Sequence, residues 1–172
     1  DLSQYKVDII FKKANASNEM AKETIIKELK DLGNIRIKLF IHSIAFGTLK
    51  KMISEDQDNI LKKKNIEMTL DVMCNNLIYW SQDLWKNKLL TSGSHIIGMT
   101  SAGGRKNWEN YGAISLAKSA MESAIRQLSL ELAPYNIAIN AVQAGVTDTP
   151  ALRKIPGANK MMSNALKNNP HK

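Results

Sequence analysis

The stretch ENYGAISLAKSAMESAIRQLSLELAPYNIAINAVQAGVTDTPAL, Glu109 to Leu152, decides the fold. An alanine-rich helix is expected from Tyr111 to about Leu132, leading into an apolar run, Ile137 to Val142, that ends close to Ala144 and Gly145. Tyr111 and Lys118 lie seven positions apart, close to two helical turns, so both leave nearly the same helix face. Taken alone, that spacing says little in a lysine-rich chain. Its context says more, because a helix that feeds straight into a buried strand is the building unit of parallel sheets.

Three more apolar runs alternate with segments of helical period. YKVDIIF (Tyr5 to Phe11) reads as a strand, followed by a helix from about Asn18 to Leu32. Ser17 is its expected N-cap, Ala21, Ile25, Leu29 and Leu32 its buried stripe, and Gly33 its stop. KLFIHSIAF (Lys38 to Phe46) is the second run. After a polar stretch comes a helix from about Met68 to Leu90, with Leu70, Cys74, Leu77, Ser81 and Leu84 on one side. SHIIGMTS (Ser94 to Ser101) is the third run and precedes the Tyr111 helix. These runs are too apolar for half-exposed strands, and each is followed by a crossover long enough for a helix. The expected fold is therefore α/β: a parallel sheet with helices on both faces and right-handed connections, forming one domain over residues 1–172. The tail from about 150 to 172, with Pro150, Pro156, Gly157 and Pro170, is expected to be a lid or loop with a short helix near Lys160 to Lys167. In such sheets ligands sit outside the carboxyl ends of the strands. Here those ends are KKAN, HSIAF, TSAGG and QAGVTDT, all rich in small, hydroxyl or amide side chains.

The 172 residues suffice for one packed core. The net charge of +8 would suit an acidic partner, but the lysines are scattered and only Lys62 to Lys64 form a run, so no nucleic-acid partner is expected. No apolar run is long enough to cross a bilayer, so no membrane association is expected either. The one cysteine, Cys74, allows neither an internal disulfide nor a thiolate zinc site, which suits the cytoplasm, and it reads as a packing residue. His42, His95 and His171 lack metal-ligand spacing, so no metal is expected, and His42 reads as a core group. Trp80, Trp85 and Met68 read as packing surface. The chain begins at Asp1 rather than methionine, which suggests a piece of a longer protein.

With these residues in place, the chain resembles the short-chain dehydrogenase/reductase family, in particular its enoyl-acyl-carrier-protein reductase branch. Ordinary members space tyrosine and lysine by four, whereas this branch uses Tyr-x6-Lys, as in YGAISLAK. IHSIAF is similar to the branch's HSIGF segment, and KKAN together with Glu109 to Pro156 resembles the NADPH-using form known from Bacillus. The resemblance implies a Rossmann-like doubly wound sheet lacking here its first two strands and its last. It also implies an NADH- or NADPH-dependent enzyme of fatty-acid synthesis, acting on enoyl groups carried by acyl carrier protein and assembling as a homotetramer. The subunit contacts would involve the helices carrying Cys74 and Tyr111, where Ala113, Ala117, Ala120 and Ala124 allow close approach.

Residue roles follow from the same resemblance. Hydride delivery to the β carbon of an enoyl thioester drives negative charge onto the thioester oxygen. The Tyr111 phenol would hydrogen-bond that oxygen, and Lys118 would hold the nicotinamide ribose while its charge favours the enolate. Ser101 would be a helper hydroxyl. Asn15 and Ala16 would contact the adenine, Ser43, Ile44 and Ala45 would lie under the cofactor, and Thr100 would join them. Gly145, Val146, Thr147 and Thr149 would surround the carboxamide and phosphates. Phe46, Ala144, Leu152 and Ile155, with Tyr111, are candidates for the acyl wall, plain core packing being the other reading.

Three departures qualify the resemblance. Ala45 stands where many relatives have glycine, and Met73 where ordinary dehydrogenases use an asparagine for a proton relay. None of the nine glycines forms the G-x3-G-x-G loop that receives the cofactor pyrophosphate. A short-chain ketone or alcohol oxidoreductase and a non-catalytic fragment or remnant are the alternatives.

Overall fold

A computed structural model describes residues 7–170. Helix α1 (Glu19–Asp31) starts at Asn18, whose side chain accepts from the Ala21 amide at 2.9 Å, and stops before Gly33 at φ +97°. The cap is thus one residue later than the expected Ser17. The buried face is also rotated. Lys22 and Ile26 are buried and Leu29 is partly packed, whereas Leu32 is exposed. The turn is explained by Lys22, whose ammonium reaches Asp83 at 2.5 Å and Glu19 at 3.0 Å while its stem fills the α1–α3 contact.

Strand β1 (Leu39–His42) is followed by a polar loop closed by a parallel bridge between Lys51 and Ile60. One continuous helical segment then runs through α2 (Lys63–Leu70), a wide π-type turn at Asp71–Asn75, and α3 (Asn76–Lys86). It starts five residues before the expected Met68, and its buried side (Cys74, Leu77, Ser81, Leu84) is the one expected. Strand β2 (His95–Thr100) leads through a 3-10 turn at Ala102–Gly104 to α4 (Gly112–Leu132), and then β3 (Ala138–Gln143). A 3-10 turn at Leu152–Lys154 and α5 (Ala158–Asn168) form the tail, so the short expected helix is present.

The sheet is parallel, in the order β1-β2-β3, with Leu39 opposite His95 and His95 opposite Ala138. One core holds Ile26, Leu77, Leu84, Met121 and Ile125 from the helices against Ile96 and Ile139 from the strands. Gly98 lets α4 approach β2, since a methyl there would lie 2.7 Å from Ile125 Cδ1. The Rossmann-like α/β fold is therefore present, with two departures from expectation. Residues 7–11 of the expected first strand are exposed and unpaired, and Tyr5 and Lys6 lie outside the described residues. A strand exists only by virtue of a neighbour, and none of the three described strands pairs with this segment. Likewise, among the described residues helices pack on one face of the sheet, leaving Leu39, Ile41 and Val142 on the other about half exposed. Right-handed crossovers that always step in the same direction place every helix on the same side, and a second layer requires the strand order to reverse.

Leu77 is fully buried where α3 meets both sheet and α4. Leu77→Ala is expected to cost about 2–5 kcal/mol, measured as a shift in the urea unfolding midpoint.

Candidate active site

At the carboxyl ends of the strands lies a cavity of about 430 Å³. Its wall contains Ser43, Ile44, Ala45 and Phe46 after β1, Thr100 at the end of β2 with Ser101 after it, and Ala144, Gly145, Val146, Thr147 and Thr149 after β3. Tyr111 and Lys118 enter from α4, and Leu152 and Ile155 from the tail. Of the residues singled out in the sequence, Asn15 and Ala16 alone do not line it.

Tyr111 sits at the N-cap of α4 and is 6% exposed. Its ring is gripped edge-on by Trp108, with centroids 5.4 Å apart and planes at 85°. Both rings rest on Gly103, where a methyl would collide with them. The Gly103 amide donates to Ser101 Oγ at 3.2 Å, and that hydroxyl lies 3.5 Å from the Tyr111 hydroxyl. With its oxygen already accepting, Ser101 has its proton available for the phenolic oxygen. Asn110, just before Tyr111, holds a left-handed φ of 59°, a conformation asparagine tolerates.

Lys118, two turns on, is buried and donates from Nζ to the Met99 carbonyl at 2.6 Å. Among the described residues no carboxylate pairs with it. Burial therefore pulls its pKa down to about 8, against a small opposing contribution from Cys74. One turn further, Glu122 accepts from Thr100 Oγ1 at 2.8 Å and from Arg105 at 3.0 Å. Burial works against the charged carboxylate, but these hydrogen bonds outweigh it and hold its pKa below the usual value. They also commit the Thr100 hydroxyl proton, so toward the cavity Thr100 can only accept.

The segment after β3 is folded on itself. Thr147 donates to the Gly145 carbonyl, Thr149 accepts from the Leu152 amide, and Arg153 clasps Asp148 through two bonds of 2.7 and 2.8 Å. Met73 lies on the wide turn between α2 and α3, fully buried and against the cavity. Ala113 and Ala117 are completely buried within the chain, where α4 meets α2 and the wide turn. They serve that internal contact, not the subunit contact expected of them.

Trp108, Gly103 and Glu122 escaped the sequence reading, although a Gly-Gly pair after a strand and a tryptophan three residues before Tyr111 were visible signals. His42 is buried but only half satisfied, because Nδ1 has no partner. Cys74 packs in the core as expected. Trp80 stacks near Phe40 and also donates its indole N–H to the Ala16 carbonyl at 2.9 Å.

A lysine held near 8 when folded and at its ordinary value when unfolded makes the native state less stable wherever both are charged, below about pH 8. That loss is recovered as pH rises toward about 10, because the unfolded chain then binds the extra proton. The difference is worth roughly 3 kcal/mol. Lys118→Met is therefore expected to melt higher than the parent at pH 7, with the gain shrinking by pH 10. Thermal unfolding at the two pH values measures this.

A family model described as Enoyl-(Acyl carrier protein) reductase matches residues 2–172. The NADPH-dependent enoyl-(acyl carrier protein) reductase FabI of Staphylococcus aureus strain MRSA252 is 28% identical over 133 residues, covering 77% of this chain and 50% of its own. The NADH-dependent FabI of Enterococcus faecalis is 25% identical over 159 residues, covering 92% of this chain and 60% of its own. The chain thus spans between half and three-fifths of these relatives. Among solved structures, the NADH-dependent enoyl reductase of Aquifex aeolicus superimposes with a TM-score of 0.77 at 24% identity, over 92% of this chain and 60% of that one. The Bacillus cereus enoyl-acyl carrier protein reductase, solved with NADP+ and indole naphthyridinone, gives 0.79 at 21% identity, over 91% and 59%.

Proposed function

The chain belongs to the enoyl-(acyl carrier protein) reductase family, and from that premise we propose that it forms the catalytic half of an NADH- or NADPH-dependent enoyl reductase of fatty-acid synthesis. The observation that carries this reading is a single cavity in which a buried tyrosine, a buried lysine and a serine hydroxyl meet three strand ends. The dinucleotide would supply the hydride. Its nicotinamide end fits the residues present: Lys118 offers an ammonium with no carboxylate partner among the described residues, and Gly145 leaves its side of the backbone open. For its pyrophosphate no G-x3-G-x-G loop precedes a described helix; the N-cap residues of α1 and α4 are Asn18 and Tyr111.

Tyr111 donates its phenolic proton toward the substrate thioester oxygen as that oxygen becomes anionic, and Ser101 donates to the phenol in turn. Lys118 would hold the ribose hydroxyls and would place a positive charge beside the developing anion. Phe46, Ala144, Leu152 and Ile155 give the acyl chain an apolar wall, with the Asp148–Arg153 clasp holding the tail in place. The substrate would be an enoyl group on acyl carrier protein, an acidic partner suited to a net charge of +8. Exposed Tyr79 and Trp85 on α3 and Leu116 and Leu130 on α4 support a subunit interface, and a cytoplasmic homotetramer is the assembly proposed. No described helix is long and apolar enough to cross a membrane.

The test offers crotonyl and acetoacetyl thioesters to the full-length gene product with NADH or NADPH. Crotonyl turnover is expected, with Tyr111→Phe lowering kcat on the order of a hundredfold. Because burial sets Lys118 near 8, kcat/KM is expected to fall as pH rises through about 8, when the ammonium is lost. Turnover of the ketone alone would make the protein a short-chain ketone reductase. Absence of any dinucleotide binding would leave a non-catalytic remnant, the second reading.

A further inference from the structure

We propose that Asn76 is a positioning residue, tying the turn at Ala16 to the end of β1 so that two segments of the dinucleotide site keep a fixed register. This rests on the reductase reading above. Asn76 opens α3 directly after the wide turn and is 3% exposed. Its Nδ2 donates to the Ala16 carbonyl at 2.7 Å, and its Oδ1 lies 3.1 Å from His42 Nε2.

The orientation is dictated by chemistry. A backbone carbonyl only accepts, so the amide N–H must face Ala16, and the amide oxygen must face the imidazole. His42 therefore carries its proton on Nε2. Its Nδ1 is buried without a partner among the described residues, and burial lowers the pKa of the ring. Trp80, one turn beyond Asn76, donates to the same Ala16 carbonyl at 2.9 Å.

Both ends of this bridge lead to the site. On one side, the Ala16 turn is closed by Ser17 N–H donating to Asn15 Oδ1 and Asn18 N–H donating to the Asn15 carbonyl, each at 3.0 Å. The turn is held from α3 by the Asn76 and Trp80 side chains, and the Asn18 side chain caps α1 directly after it. On the other side, His42 ends β1 and is followed at once by Ser43, Ile44 and Ala45 on the cavity wall. Asn15 and Ala16 are absent from that wall, and the Asn76 amide is what connects them to it.

The experiment uses the full-length gene product and the variants Asn76→Ala, Asn76→Asp and Trp80→Phe. Asp keeps the volume but has no N–H for the carbonyl. Expected are a rise of about tenfold in KM for the dinucleotide in both Asn76 variants and a smaller rise in Trp80→Phe. The kcat and the KM for enoyl thioester should stay within about twofold. Independently of turnover, the Ser17 and Asn18 amides should exchange hydrogen at least about tenfold faster in Asn76→Asp, with α4 amides unchanged. An unaltered dinucleotide KM in variants that merely melt lower overturns the proposal while leaving the reductase reading intact. A parent protein that neither binds nor oxidises dinucleotide overturns the reductase reading and this one together.

Discussion

One face of α4 packs on the sheet, and the same face supplies the site. Ile125 and Met121 press on β2 at Gly98, and the stripe continues N-terminally through Lys118 and Ile114 to Tyr111. Successive members are three or four residues apart, so the helix cannot bury its apolar half without also carrying the lysine and the tyrosine past the strand ends. Ala113 and Ala117, both fully buried, lie on the stretch of α4 that meets α2 and the wide turn. Core packing on the sheet side and the Gly103 and Trp108 contacts before the helix together hold Tyr111 and Lys118 in place.

That arrangement places charge where water is scarce, and each instance is resolved differently. Lys22 is kept charged by two carboxylates, and its hydrogen bonds to Asp83 and Glu19 outweigh the burial that would otherwise lower its pKa. Glu122 is kept charged by Arg105 and Thr100. Lys118 has only the Met99 carbonyl, and its pKa is depressed. Among the described residues Lys118 is thus a buried ammonium that a backbone carbonyl, and no carboxylate, holds.

The phenol is treated with equal economy of freedom. Trp108 and Gly103 fix the Tyr111 ring, and the Gly103 amide fixes Ser101, so the two hydroxyls are oriented before any ligand arrives. Donors held in place cost no reorganisation when charge develops opposite them.

Helical period is a local property, and the amino-acid sequence alone determined it in two places: α3 has the expected buried side, and Tyr111 and Lys118 share the expected face of α4. The three strands of the sheet were legible for the same reason, as short apolar runs between helices. What depends on a distant partner was decided by the tertiary structure. The α1 stripe turned toward Lys22 because Asp83 waits on another helix, the Thr100 hydroxyl was claimed by Glu122, and Ala16 was seized by Asn76 and Trp80 from sixty or more positions away. The apolar run up to Phe11 fits a strand, yet its described part stays unpaired, because a ladder needs hydrogen-bonding groups on a second strand and no side-chain pattern can supply them.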